Sequence, residues 1–211
     1  MKKLFVGIII LAIFGFVGYK FMMQANDLGV KADTALVTAF EEKYGKPNGT
    51  GKIDLDVTLT SEEITSVFAV WQERDKYFPL RDVQIKFNSD GTGEASGYLK
   101  VESAINLAKN LGYSDSDIEK GKDYIKYVSG DLPFYVKGTG EMINNKITVN
   151  PASFQVAKIS VPDNIITPAS LLVTDMINKR ISQIGGADIK EASFKTGAFK
   201  LQGSVPETIK Y

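Results

Sequence analysis

The groups able to do chemistry in this 211-residue chain are oxygen donors and lysines, because it has neither histidine nor cysteine. That excludes a thiol nucleophile, a Ser-His-Asp triad, histidine acid–base catalysis and zinc held by His or Cys. The densest oxygen cluster is Asn88, Asp90, Thr92 and Glu94, which alternate in a Gly-rich turn and imitate a calcium loop. An EF-hand loop places glycine sixth and a bidentate glutamate twelfth. Here Gly91 is fourth and Glu94 seventh, so the residues predict a plain hairpin turn. Asp54 and Asp56 suggest paired carboxylates, but two residues apart on a polar strand face they read as solvated side chains. Gly138-Thr139-Gly140 is too short for a phosphate loop and is followed by a strand, not a helix. Lys179 and Arg180 sit near a predicted helix end, where cations complement the dipole. No serine occupies a nucleophile elbow. The expectation is a non-enzymatic protein with no cofactor and no metal.

Apolar residues carry more information. Phe68, Trp71, Phe87, Phe134, Phe154, Met176, Phe194 and Phe199 fall on predicted helix or strand positions. They form an ordinary core, or they line an apolar groove between a curved sheet and a helix, open to an acyl chain or apolar peptide.

The elements that must position them follow from periodicity. Asn26 to Lys43 carries a helical apolar stripe and predicts a stalk. Gly45 to Gly51 breaks the chain. Lys52 to Leu59 alternates strictly, with Ile53, Leu55, Val57 and Leu59 on the dry face of a strand. Thr60-Ser61-Glu62-Glu63 has capping-box spacing. The helix it opens sets Ile64, Val67, Phe68 and Trp71 on the sheet. Arg81 to Val101 reads as a hairpin turning at Asn88 to Gly91. Two helices follow, Ser103 to Leu111 and Ser114 to about Val128. A second hairpin has arms Phe134 to Ile143 and Lys146 to Lys158, turning at Asn144-Asn145. After Val161-Pro162 comes a helix with Pro168 in its first turn and Val173, Met176, Ile177, Ile181 and Ile184 on one side. Gly185-Gly186 stops it. A third hairpin, Asp188 to Phe194 and Ala198 to Val205, turns around Thr196-Gly197. Gly97, Gly138 and Gly203 each interrupt a strand and predict a bulge, a bend or close helix packing. The fold class expected is α+β: a curved antiparallel sheet of hairpins on amphipathic helices, preceded by one N-terminal transmembrane helix.

That last element is Leu4 to Tyr19, an uncharged apolar run after Met1-Lys2-Lys3. A bilayer core of roughly 30 Å needs about 20 helical residues, reached here if Lys20 snorkels and Phe21 to Met23 sit at the interface. Charged start and apolar middle also fit a cleaved signal peptide, whose small-residue end would be Met23-Gln24-Ala25. The anchor is the preferred reading. The layout predicts residues 1–25 as anchor, 26–50 as stalk and linker, and 51–211 as an extracytoplasmic domain. The protein would be single-pass in the cell membrane, with its N-terminus cytoplasmic. Without Lys2, Lys3 and Lys20, 22 basic residues stand against 25 acidic ones, a balance near −3. That argues against a nucleic-acid partner, which needs a basic patch.

Leu59 to Thr65, Phe154 to Pro162 and Ala192 to Gly203 together resemble small membrane-anchored bacterial envelope proteins of the YpmS/LmeA type. In those proteins a strand near proline leads to a helix and then to a hairpin closing on glycine. They are related in architecture to tubular lipid-binding (TULIP-like) proteins, whose curved sheet wraps a long helix around an apolar groove. The resemblance covers most of residues 51 to 206 and is one of pattern, with no catalytic or ligand-contacting motif to carry over. It implies an envelope protein with a lipid ligand. A scaffold or regulatory partner of an envelope protein complex is the alternative, using sheet edges and the helices after Ser103.

Overall fold

Alternation makes the first strand. In Lys52–Leu59 (β1), Val57 and Leu59 are buried while Asp54, Asp56 and Thr58 stay exposed. The computed structural model describes residues 21–75, 78–122, 130–195 and 197–207. The expected membrane segment lies outside them up to residue 20, as does the end of the helix expected to reach Val128. Among the described residues no helix is long and apolar enough to cross a membrane.

The elements run α1 (Thr34–Tyr44), β1, α2 (Ser61–Arg74), β2 (Leu80–Phe87), β3 (Gly93–Leu99), α3 (Val101–Asn110) and α4 (Asp115–Lys122). They continue with β4 (Leu132–Ile143), β5 (Lys146–Val156), β6 (Ile159–Ser160), α5 (Asp163–Gln183), β7 (Asp188–Lys195) and β8 (Ala198–Pro206). All strands join one strongly curled antiparallel sheet, so the α+β expectation holds.

The long β4–β5 hairpin is its spine. Asn144 and Asn145, both at positive φ, make its turn, the two-residue geometry that matches strand twist. On its other edge β4 pairs with β3 over Leu132 to Gly138, then with β7 over Glu141 to Ile143. Hairpins β2–β3 and β7–β8 therefore lie tip to tip along β4. Their turns are joined by Gly197 N–H donating to Asn88 O at 3.1 Å. Beyond β8 runs β1, and α2 continues in line past the tips, along β2.

Three bulges coincide with the three interior glycines. Gly97 faces the irregularity between Arg81 and Gln84, Gly138 abuts Ala152, and Gly203 lies beside Lys190. A Cβ on Gly138 would fall 2.7 Å from Pro151 Cα, and one on Gly203 2.7 Å from Ile189 Cα, with Asn150 O and Asp188 O nearer still. Gly203 also has φ +152, which side chains rarely adopt. Each extra residue bends its strand and sharpens the twist.

Helix α2 departs from the expected face. β2 has no strand on its outer side, and α2 side chains satisfy its backbone instead. Phe87 N–H donates to Ser61 Oγ at 2.9 Å, and Ile85 N–H to Thr65 Oγ1 at 2.9 Å. Thr65 Oγ1 returns a bond to Ile85 O at 3.3 Å, and Asp82 N–H donates to Gln72 Oε1 at 2.6 Å. Thr65 and Ser66 are 1% and 0% exposed, whereas Trp71, expected on the sheet, is 48% exposed. An unpaired strand edge under a helix needs hydrogen-bond partners, so hydroxyls take the inward positions and the aromatic stripe turns aside. The capping box at Thr60 and Glu63 forms as expected.

Helix α5 repeats the device on β5. Ile147 N–H donates to Asn178 Oδ1 at 2.8 Å, and Asn178 Nδ2 donates to Ile147 O at 3.3 Å. The helix starts at Asp163, so Pro168 lies inside it rather than in its first turn. The Pro162 carbonyl accepts from Ile165 and Ile166 N–H, which starts the helix early.

The helix expected from Asn26 begins only at Thr34. Asp27 Oδ1 accepts from Gly29 N–H at 2.9 Å, and Gly29 has φ +73. This local turn competes with helix. Residues 25–33 form a strap across the outer side of the sheet. Ala25 N–H donates to Tyr98 Oη at 3.2 Å, Leu28 N–H to Gln84 Oε1 at 2.8 Å and Asp33 N–H to Ser66 Oγ at 2.8 Å.

Candidate functional site

Residues directly opposite in antiparallel strands share a face. That rule sets Phe134, Val136 and Met142 of β4 with Phe154 and Val156 of β5. It adds Ala95 and Leu99 of β3 with Phe87 of β2, and Ala192 and Phe194 of β7 with Phe199 and Leu201 of β8. Val57 and Leu59 of β1 complete the row. Five of the eight candidate residues, Phe87, Phe134, Phe154, Phe194 and Phe199, thus lie on one apolar sheet face.

Three of them are in contact. Phe87 and Phe199 stack at 5.8 Å between centroids, Phe194 lies 5.4 Å from Phe87 and 5.9 Å from Phe199. This trio fills the junction where β4 exchanges β3 for β7. The Phe194 ring sits over Gly93 and Gly140, where an added Cβ would lie 3.1 and 3.4 Å from its Cε2. Small residues in the floor make room for a large one across the seam.

Phe68 and Trp71 form a second cluster on α2 with Phe78, at 5.5 to 6.3 Å. Phe134 and Phe154 belong to the β4–β5 spine away from the trio, and Met176 lies on α5, the helix that packs on β5. None of these three is fully buried.

Burial is uneven across this face: Val57, Leu59, Phe87 and Ala192 are buried, and its other residues are part-exposed. Among the described residues, the side chains sealed from solvent below 2% are Thr65, Ser66 and Ser96, all polar. Among the described residues Phe87, at 7%, is the one buried aromatic ring. Polar groups mark the deepest points because they serve backbone: Thr65 that of β2, Ser66 that of Asp33 and Glu62, and Ser96 Oγ donates to Phe134 O at 3.2 Å.

The oxygen clusters are satisfied within the fold. Asp90 accepts from Thr92 N–H at 2.9 Å and Thr92 Oγ1 at 2.6 Å, the closure of a turn. Among the described residues no group of His, Cys, Asp or Glu could hold a metal ion. Asp54 accepts from Asn48 Nδ2 and Asp56 from Gln202 Nε2, both 2.9 Å and both on the exposed face of β1, outside any pocket they would need as a catalytic pair. A shallow crevice with no enclosed volume lies under the strap, between Gln24 to Asn26 and Pro133, Phe134, Tyr135, Gln155 and Lys158. It is not a cavity of the roughly 300–1,000 Å³ that small-molecule sites offer.

Glu94 is held from two sides, accepting from Tyr135 Oη at 2.8 Å and Asn88 Nδ2 at 2.9 Å. Burial pushes its carboxyl up, but these two bonds, with Lys137 and Lys86, hold it below its ordinary value. Burial and then the Glu94 bond push the Tyr135 phenol up to about 12. A depressed carboxyl stabilises fully above its unfolded value, about pH 4.3, and that share fades as pH falls through the folded value. A raised phenol stabilises fully below about pH 10 and fades as pH climbs beyond. Tyr135→Phe should therefore lower the urea midpoint at neutral pH and lessen its decline on both flanks. Unchanged acid and alkaline slopes would refute the pairing.

Sequence patterning had one signal for the edge-sealing residues. Ser61, Thr65 and Gln72 recur at i, i+4 and i+11, a polar line beside the aromatic stripe. The strap and the β5–β6 turn carried none. Comparison with known proteins finds no matching family model, no similar curated protein and no matching solved structure.

Proposed function

We propose that this is a membrane-anchored, extracytoplasmic, non-enzymatic protein that binds lipid or lipid-linked envelope material on its apolar sheet face. The observation that carries the reading is the part-exposed state of four aromatic rings on that face. Phe134, Phe154, Phe194 and Phe199 line it, yet none counts as buried. An acyl chain laid on such a surface gains about 0.8 kcal/mol for each CH₂ it buries. The apolar run at Leu4 to Tyr19 supports anchoring. The pattern resemblance to YpmS/LmeA-type envelope proteins points the same way.

The scaffold alternative is weaker on one count. Two of the sheet edges it would use are occupied, β2 by the side chains of α2 and β5 by Asn178 and β6. The chain's one tryptophan, Trp71, sits 5.5 Å from Phe68 in the α2 cluster and off this face, so the test moves it there, as Phe154→Trp in a Trp71→Phe background. Residues 21–211 of that variant, titrated with a brominated fatty acid, should lose fluorescence saturably, since bromine quenches on contact.

A further inference from the structure

We infer that the β5–β6 turn rests on the bilayer surface beside the chain's exit, so that the domain is held in one orientation rather than swinging on a tether. The inference rests on the anchored reading above and adds the surface that faces the lipid. Phe21, the first described residue, is 60% exposed and Met22 is 38% exposed. The 20 residues before them hold the apolar run, so a bilayer entered by that run lies at this end of the domain.

The β5–β6 turn is built beside the same point. Lys158 Nζ lies 3.6 Å from the centre of the Phe21 ring. Ile159, next in the chain, is 59% exposed. Ala157 and Lys158 both have positive φ, at 50° and 62°. Hairpin turns of this kind ordinarily use Asn or Gly, so two side-chain-bearing residues are held here against their preference. Ala157 N–H donating to Pro133 O at 2.9 Å keeps the turn in place. The result is an aromatic ring, a lysine and an exposed isoleucine on one tip. That is the composition of an interfacial contact: an apolar tip in the acyl boundary and an ammonium among anionic phosphates. The strap makes the placement firm, because Ala25 and Leu28 are hydrogen-bonded to β3 and β2 within a few residues of the exit.

The chain lacks cysteine, so single labels are clean. Ile159→Cys and Lys146→Cys mark opposite ends of β5, roughly 30 Å apart at about 3.4 Å per residue. The full chain, reconstituted in phosphatidylglycerol/phosphatidylcholine vesicles and labelled with an environment-sensitive fluorophore, should show Ile159→Cys strongly quenched by spin-labelled lipid. Lys146→Cys should keep its emission. Carbonate-resistant protein with both labels unquenched, or with Lys146→Cys quenched instead, would overturn the orientation while leaving the anchor intact. Protein that carbonate strips from the vesicles would overturn the anchor and the orientation with it.

Discussion

Gly203→Ala should lower the melting temperature of the domain by roughly 6–12 °C, with Gly138→Ala close behind. The expected cost is about 3 kcal/mol, at roughly 2–4 °C per kcal/mol for a domain of this size. The new methyl at position 203 meets Ile189 Cα at 2.7 Å, and at 138 Pro151 Cα at 2.7 Å. Both obstacles are backbone held in a bulge, so neither can rotate away. The bulge must straighten or the strands must part. Position 203 carries the further penalty of φ +152. Gly49→Ala is the control, because nothing lies within 4 Å of its added carbon. Thermal unfolding of the three variants checks the claim. Equal melting points would show that the bulges yield freely and do not set the curvature of the sheet.

Thr65→Val should cost about 2–4 kcal/mol although it preserves shape. It removes one hydroxyl that both accepts from Ile85 N–H and donates to Ile85 O. Both backbone groups face the Thr65 hydroxyl, whose residue is 1% exposed, and each stranded group costs about 1–3 kcal/mol. Thr65→Ser keeps the hydroxyl and should recover most of the loss. The local signature is amide exchange: Ile85 N–H should exchange much faster in Thr65→Val than in Thr65→Ser. A valine variant as stable as the parent would mean that water reaches the edge of β2 and that α2 does not seal it.

What was legible in the sequence was local. β1 announced itself by alternation, α2 by its capping box, and the spine's turn by Asn144-Asn145, whose side chains tolerate positive φ. Gly97, Gly138 and Gly203 were legible as exceptions: a glycine inside a strand pattern had to mean close approach, and each lies at a bulge. The non-local facts were hidden. Ile64, Val67, Phe68 and Trp71 describe an amphipathic helix correctly, yet the side nearest the sheet is chosen by the unpaired backbone of β2. Nothing between Asn26 and Asp33 says that these residues will hold to Tyr98, Gln84 and Ser66 rather than continue a helix. Pro168 looked like a first-turn residue because the earlier start depends on the Pro162 carbonyl. For the candidate face, composition supplied the aromatic residues and register assembled them. That Phe87, Phe194 and Phe199 meet while Phe68 and Trp71 gather elsewhere depends on β3 and β7 meeting end to end on β4.

The central claim, that the apolar face takes an acyl chain, is tested most directly by titrating the variant that combines Trp71→Phe with Phe154→Trp, whose one tryptophan lies on that face. Residues 21–211 of that variant are shown to be folded by circular dichroism and then titrated with a brominated fatty acid. The same titration is repeated with the unbrominated acid present as competitor. Saturable quenching near one equivalent, reversed by the competitor, is the predicted result. Quenching that rises linearly with added acid and ignores the competitor would contradict it, and the face would then be surface without a lipid ligand.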